Sequence, residues 1–207
     1  MNRFILIPFL SLFIQNGSLP QLTHVARQQL TESEPTVEVL FPRYVYKQTM
    51  KSLRTVDFRN FQIHVFDARK SILIAKLRNG KYESNWASAH GSDWLRLNSV
   101  DFLGNHSEFG VVSLSWVTTG ASASAFGLVQ VFTLREGHPV VVQQILFNAR
   151  GCGTSASIRK NVGGLTVRGV HGWEHCCPNT LDVLTFSWTG SSFERKTQQS
   201  VSLPTAC

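Results

Sequence analysis

Acidic residues are scarce in this chain: 13 Asp and Glu stand against 20 Lys and Arg, and charged residues make up only 16% of its 207 positions, against about 25% in an average soluble protein. So small a supply of carboxylates leaves few from which to assemble the pair a glycosidase needs. No cysteine precedes Cys152, which excludes a lipid anchor at a leader cysteine. The chain has no Gly-x-Ser-x-Gly elbow, no His-Glu-x-x-His run and no Cys-x-x-Cys pair. Ready-made signatures of a serine esterase, a zinc protease and a thiol-exchange protein are therefore absent. No apolar run approaches the ~20 residues that cross a bilayer as a helix, and no aromatic-basic signature of RNA binding occurs. Neither a membrane span after leader removal nor a nucleic-acid partner is expected.

What is present describes a globular exported protein. Hydrophobic residues reach 43%, with 14 Phe, enough for one buried core in a chain of this length. Arg3 supplies a positive start, Phe4 to Ile14 an apolar stretch, and Asn16, Gly17 and Ser18 a small polar end, the three-part layout of a secretory leader. Residues 1–18 read as a signal peptide, 19–36 as a polar N-terminal arm with a short amphipathic helix over Leu22, Val25, Ala26 and Leu30, and 37–207 as a single β-rich domain. The expected location is secreted or periplasmic.

Period-two alternation dominates after residue 36 and predicts a mainly β fold of antiparallel hairpins, with an α+β arrangement as the alternative. Phe61, Ile63 and Val65 alternate with Asn60, Gln62 and His64, giving one apolar and one polar face, and Ile72 to Arg78 reads as the next strand. Asn79-Gly80 follows as a tight-turn signal, because both residues tolerate positive φ. Val112, Leu114 and Trp116 share a face. Phe126, Leu128, Phe132 and Leu134 oppose Val129 and Val131, so that strand is apolar on both sides and belongs at the centre of a sheet. Glu136-Gly137 turns the chain into Val140 to Phe147, and later strands cover Leu165 to His171 and Val183 to Trp188, bounded by Gly163-Gly164 and Thr189-Gly190.

Positive charge is uneven. Ten Lys and Arg between Arg43 and Lys81 face two acids, Asp57 and Asp67. Summed charge of one sign attracts polyanions, but singly spread cations also suit a solvated face, which is the plainer expectation here.

The four cysteines, Cys152, Cys176, Cys177 and Cys207, lie in the last third. In an oxidising compartment an even count permits full pairing with three connectivities. Bridging the adjacent Cys176 and Cys177 strains the peptide between them, so the expectation is that Cys152 bonds one of them and Cys207 the other, stapling the C-terminal part. His171 and His175 beside these thiols could suggest a metal site, but adjacent residues of a strand point to opposite faces; no metal and no cofactor is expected. Trp173, with His171 and His175, is the candidate lining of a small binding pocket, and no catalytic residue is assigned.

The segments VDFRNFQIHVF, KLRNGKYE, LNSVDFLGNHSEFGVVSLSW, FGLVQVFTLREGHPVVV and HCCPNTLDVLTFSWTGSSF, with Cys176-Cys177-Pro178 the most specific element, resemble a widespread group of secreted bacterial proteins similar to the mycobacterial LppP/LprE-type lipoproteins. The resemblance spans roughly residues 56 to 193 and implies a bacterial envelope location, not a chemistry, because the group has no settled activity. Its members carry an acidic Asp-Gly-rich turn where this chain keeps only Asp101, Gly104 and Glu108. The expected role is a non-catalytic envelope or extracellular binding or structural domain whose partner is an anionic envelope polymer or another envelope protein. A secreted hydrolase using His171, His175 or Asp182 is the second expectation, and a periplasmic metal-binding protein the third.

Overall fold

Where the alternation is strongest the backbone is extended. The computed structural model describes residues 37–67, 70–85, 92–104, 108–119, 124–149, 156–161, 164–171 and 180–202, and these form thirteen strands with two single-turn 3-10 helices. The strands are β1 (Val37–Leu40), β2 (Tyr44–Val45), β3 (Gln62–Asp67), β4 (Lys70–Lys76), β5 (Lys81–Asn85), β6 (Ser92–Leu103), β7 (Phe109–Thr118), β8 (Ser124–Arg135), β9 (His138–Ala149), β10 (Ala156–Asn161), β11 (Gly164–His171), β12 (Thr180–Trp188) and β13 (Phe193–Ser202). The 3-10 turns cover Leu53–Thr55 and Phe58–Asn60. Their caps are Ser52 and Asp57, whose side chains accept from the N–H of Arg54 and Arg59. Among the described residues no helix is long and apolar enough to cross a membrane.

Every pairing is antiparallel, so the mainly β expectation holds. The largest sheet runs in the order β1-β9-β8-β7-β6-β5, with β2 continuing the β1 edge along β9. A second sheet runs β10-β11-β12-β13, and β3-β4 stand as a separate hairpin. These make three layers with the large sheet in the middle. On one face Val112, Leu114, Trp116, Phe126, Leu128 and Phe132 pack with Ile63, Val65 and Phe66 of the hairpin and Leu53 and Phe58 of the 3-10 turns. On the other, Val111, Val129, Val131, Ile145 and Phe147 pack with Leu165, Val167, Leu184 and Phe186. The two-sided apolar character of β8 is thus explained: it lies inside the middle layer.

Two adjacent glutamines of β9 stitch the layers. Gln144, fully buried, donates to the Phe66 carbonyl at 2.8 Å and accepts from the Phe66 N–H at 3.1 Å. Gln143, pointing the opposite way, does the same to Phe193, with both bonds at 2.8 Å. Each side-chain amide thus pairs with one backbone N–H and one backbone carbonyl of a neighbouring layer. Gln130 of β8 joins the first set, donating to the Gln144 oxygen at 2.9 Å and the His64 carbonyl at 2.6 Å.

Two local expectations are corrected. Asn79 and Gly80 do adopt positive φ, 52° and 79°, but the turn closes a single bridge, Arg78 to Lys81, because β4 stays with β3 while β5 leaves to pair with β6. On the expected polar face Asn60 is exposed and Gln62 half-buried, but His64 is only 4% exposed, since the Tyr44 ring stacks on it at 4.3 Å and the Tyr46 ring meets it edge-on at 5.3 Å.

Burial at His64 has a pH consequence. It holds the imidazole pKa below its ordinary value of 6.5, so the folded protein binds this proton less readily than the unfolded chain does. The corresponding stability is complete above pH 6.5 and is lost as pH falls from there through the folded-state value. Urea melts across this range should show the loss in the native protein and not in His64→Phe. Glu38 acts in the opposite sense at lower pH: burial, with Asp67 nearby, raises its pKa above 4.5, so its folded form takes up a proton first as acid is added.

Candidate functional site

Among the described residues a concavity lies where the large sheet runs out of partners. β6 has twelve residues, but β5 pairs only with Ser92 to Arg96. Beyond that point the β6 edge faces the 3-10 turns across a cleft of about 640 Å³, lined by Arg54, Asp57, Arg59, Asn79, Gly80, Lys81, Arg96, Asn98 and Ser99 with Val56, Phe58, Leu97, Val100 and Phe102.

Three hydrogen bonds frame the cleft. The Gly80 N–H donates to the Arg59 carbonyl at 2.7 Å, the Leu97 N–H to the Gly80 carbonyl at 2.8 Å, and the Asn79 N–H to the Asn60 side chain at 3.0 Å. Gly80 is favoured there by its positive φ of 79°. The tight turn after β4 is therefore pinned to both the second 3-10 turn and β6. The Arg54 guanidinium lies over the Phe102 ring at 5.2 Å, a cation-π contact.

The charge of the cleft is positive. Arg54, Arg59, Lys81 and Arg96 face one carboxylate, Asp57, and both Asp57 oxygens are occupied, one by the Arg59 N–H at 3.1 Å and one by the Asn60 amide at 2.7 Å. Lys81 lies directly opposite Arg96 in the β5-β6 register, and Arg78 directly opposite Lys81 across the turn bridge. Three cations thus form one cross-strand row, an arrangement that costs free energy unless an anion neutralises it. The ion pairs Lys160–Asp101 and Lys196–Glu194 lie elsewhere. A shallower depression of about 590 Å³ shares Lys81 and Arg96 and adds Arg78, Tyr82, Glu83 and the partly exposed Trp94.

His171 ends β11, with its backbone opposite Asp182 of β12 in the second sheet. Trp173, His175, Cys152, Cys176, Cys177 and Cys207 fall outside the described residues, as do the leader and the N-terminal arm. The basic Arg43 to Lys81 segment divides: Arg54, Arg59 and Lys81 converge on the cleft and Arg78 on its neighbour, while Lys47 and Lys51 are solvated elsewhere. Arg96, Asn98 and Ser99 were not legible as site residues. They lie outside the basic run, and only the pairing of β5 with β6 brings them to it.

A Ser-His contact exists on the hairpin, with Ser71 Oγ at 3.4 Å from His64 Nδ1 and the Gln62 amide at 2.8 Å from Nε2. It is not built as a catalytic pair. The bond is long, an amide stands where a triad places a carboxylate, and neither residue lines the cleft. Among the described residues no group of three or more His, Cys, Asp or Glu is placed to hold a metal.

Fold and site together define a three-layer antiparallel β protein with a cationic cleft at the open end of its central sheet. Comparison with family models, curated proteins and solved structures found no match for the chain.

Proposed function

We propose that this protein is an exported, non-catalytic binding domain of the bacterial envelope or exterior that captures an anionic ligand in the cleft between β6 and the 3-10 turns. The observation carrying this reading is the convergence of Arg54, Arg59, Lys81 and Arg96 on a cleft whose lining holds one carboxylate, Asp57. Clustered cations on low-dielectric walls focus potential and raise both the association rate and the affinity for a polyanion. The leader-like first eighteen residues and the resemblance to secreted envelope proteins support the location, and an anionic envelope polymer or an acidic face of another envelope protein suits the charge.

Retention on an immobilised sulfated polysaccharide, eluted by a salt gradient, tests the proposal. The native protein should be retained. Arg59→Ala/Arg96→Ala should bind roughly tenfold more weakly, at up to about 1 kcal/mol for each exposed charge, and the slope of log K against log salt should fall by about one per cation removed. Lys47→Ala/Lys51→Ala removes the same charge away from the cleft and should elute close to the native position. Equal losses in both variants would mean diffuse attraction by net charge, and a native protein that binds neither this polysaccharide nor an acidic peptide would end the proposal.

A further inference from the structure

The cleft offers more than charge. Its floor is the backbone edge of a strand held in extended form from the other side: β7 pairs with Ser99 to Leu103 of β6. Beyond Leu97, whose N–H is taken by Gly80, the outer edge of β6 makes no backbone hydrogen bond among the described residues. Past the bulge between Leu97 and Ser99, alternate residues of such an edge strand direct their N–H and C=O outward, and Ser99, Val100 and Phe102 of this stretch line the cleft. The open edge extends about 20 Å at ~3.3 Å per residue, enough for a short strand. Cations flank it on both sides, Lys81 and Arg96 from the strands and Arg54 and Arg59 from the 3-10 turns.

We propose that the cleft binds its ligand by strand addition: an extended acidic peptide segment of a partner protein pairs with the β6 edge in line with β5, its carboxylates meeting the flanking cations. This rests on the anion-binding reading of the same cleft. An unpaired edge together with complementary charge specifies a peptide over a polysaccharide, because only a peptide satisfies both the outward amides and the guanidinium groups. Charged residues beside an open edge also deter unwanted pairing with neutral chains, which makes the edge selective for an acidic one.

The test compares three probes on the whole protein: a short capped Glu-rich peptide, the same peptide N-methylated at alternate residues in each of the two frames, and a heparin-derived oligosaccharide of matched charge. The plain peptide should bind. One N-methylated frame should lose at least about tenfold in affinity through several lost hydrogen bonds, while the other frame stays near the parent. Amide exchange should slow at alternate positions between Ser99 and Phe102 when the plain peptide is bound. Equal affinity of both frames, or unchanged exchange in that stretch, overturns strand addition. Binding of the oligosaccharide without the peptide overturns it too, yet leaves the anion-binding cleft intact. Failure of every probe removes both.

Discussion

Replacing Gln144 by leucine should cost about 3–5 kcal/mol and loosen the β3-β4 hairpin first. The side chain is fully buried and meets three polar groups: the N–H and carbonyl of Phe66, and the amide of Gln130. Leucine fills similar volume but strands the first two without partners, and each unpaired buried group costs about 1–3 kcal/mol. The Gln130 amide keeps its bond to the His64 carbonyl, so its share of the loss is smaller. Gln143→Leu should damage the other face, because its partners are the N–H and carbonyl of Phe193 at the start of β13. Urea denaturation measures the size of both effects, and amide exchange separates their places. If Gln144→Leu left the exchange of β3 and β4 unchanged, the glutamine would not be what ties that layer down.

The second large effect is expected at Gly169. It lies on β11 between Ala156 of β10 and Leu184 of β12. A methyl group built there would fall well inside van der Waals contact of three ring atoms of Phe147. That ring is fully buried and edge-on to Phe186 at 5.9 Å, so it cannot swing away without disturbing the layer beneath. Gly169→Ala should therefore destabilise by about 3 kcal/mol through overpacking, although exchanging glycine for alanine in a strand usually helps. The contact also predicts non-additivity. Gly169→Ala combined with Phe147→Leu should lose less than the sum of the two single changes, because the smaller side chain relieves the clash. Additive losses would place the strain elsewhere.

Both predictions concern residues that carry no sequence signal of their own. A pair of glutamines inside an apolar strand reads as an interruption, and a glycine in VRGVH reads as a weak point of a strand. Their roles come from partners far along the chain, Phe66 for Gln144 at a separation of 78 positions and Phe147 for Gly169. Edge elements were hidden for a related reason. β13 buries Phe193 and exposes all nine residues after it, so FERKTQQSVS shows no apolar alternation, and pairing with β12 alone makes it a strand. By contrast β8 was legible as a central strand because Val129 and Val131 oppose Leu128 and Phe132 within a few residues, and both sets proved buried on opposite faces of the middle layer. The Glu136-Gly137 turn was legible too, with both residues at positive φ.

The candidate cleft was half visible. The excess of cations between Arg43 and Lys81 is a fact of composition, but composition alone cannot distinguish a solvated face from a converging one. Arg96 joins Lys81 only because β5 pairs with β6 in the register that sets them opposite each other. Arg59 joins them because the Asn79-Gly80 turn is anchored to the second 3-10 turn, and Arg54 because its guanidinium lies over Phe102 of β6.

By itself, then, the order of residues determined the strands whose apolar residues alternate, the tight turns and the two-sided core of β8, since these depend on side chains within a few positions of one another. Tertiary structure decided which layer each strand entered, which backbone groups the buried glutamines satisfy, and which cations share a cleft. Those outcomes depend on contacts between distant segments, and such contacts exist only once the three layers have closed on one another.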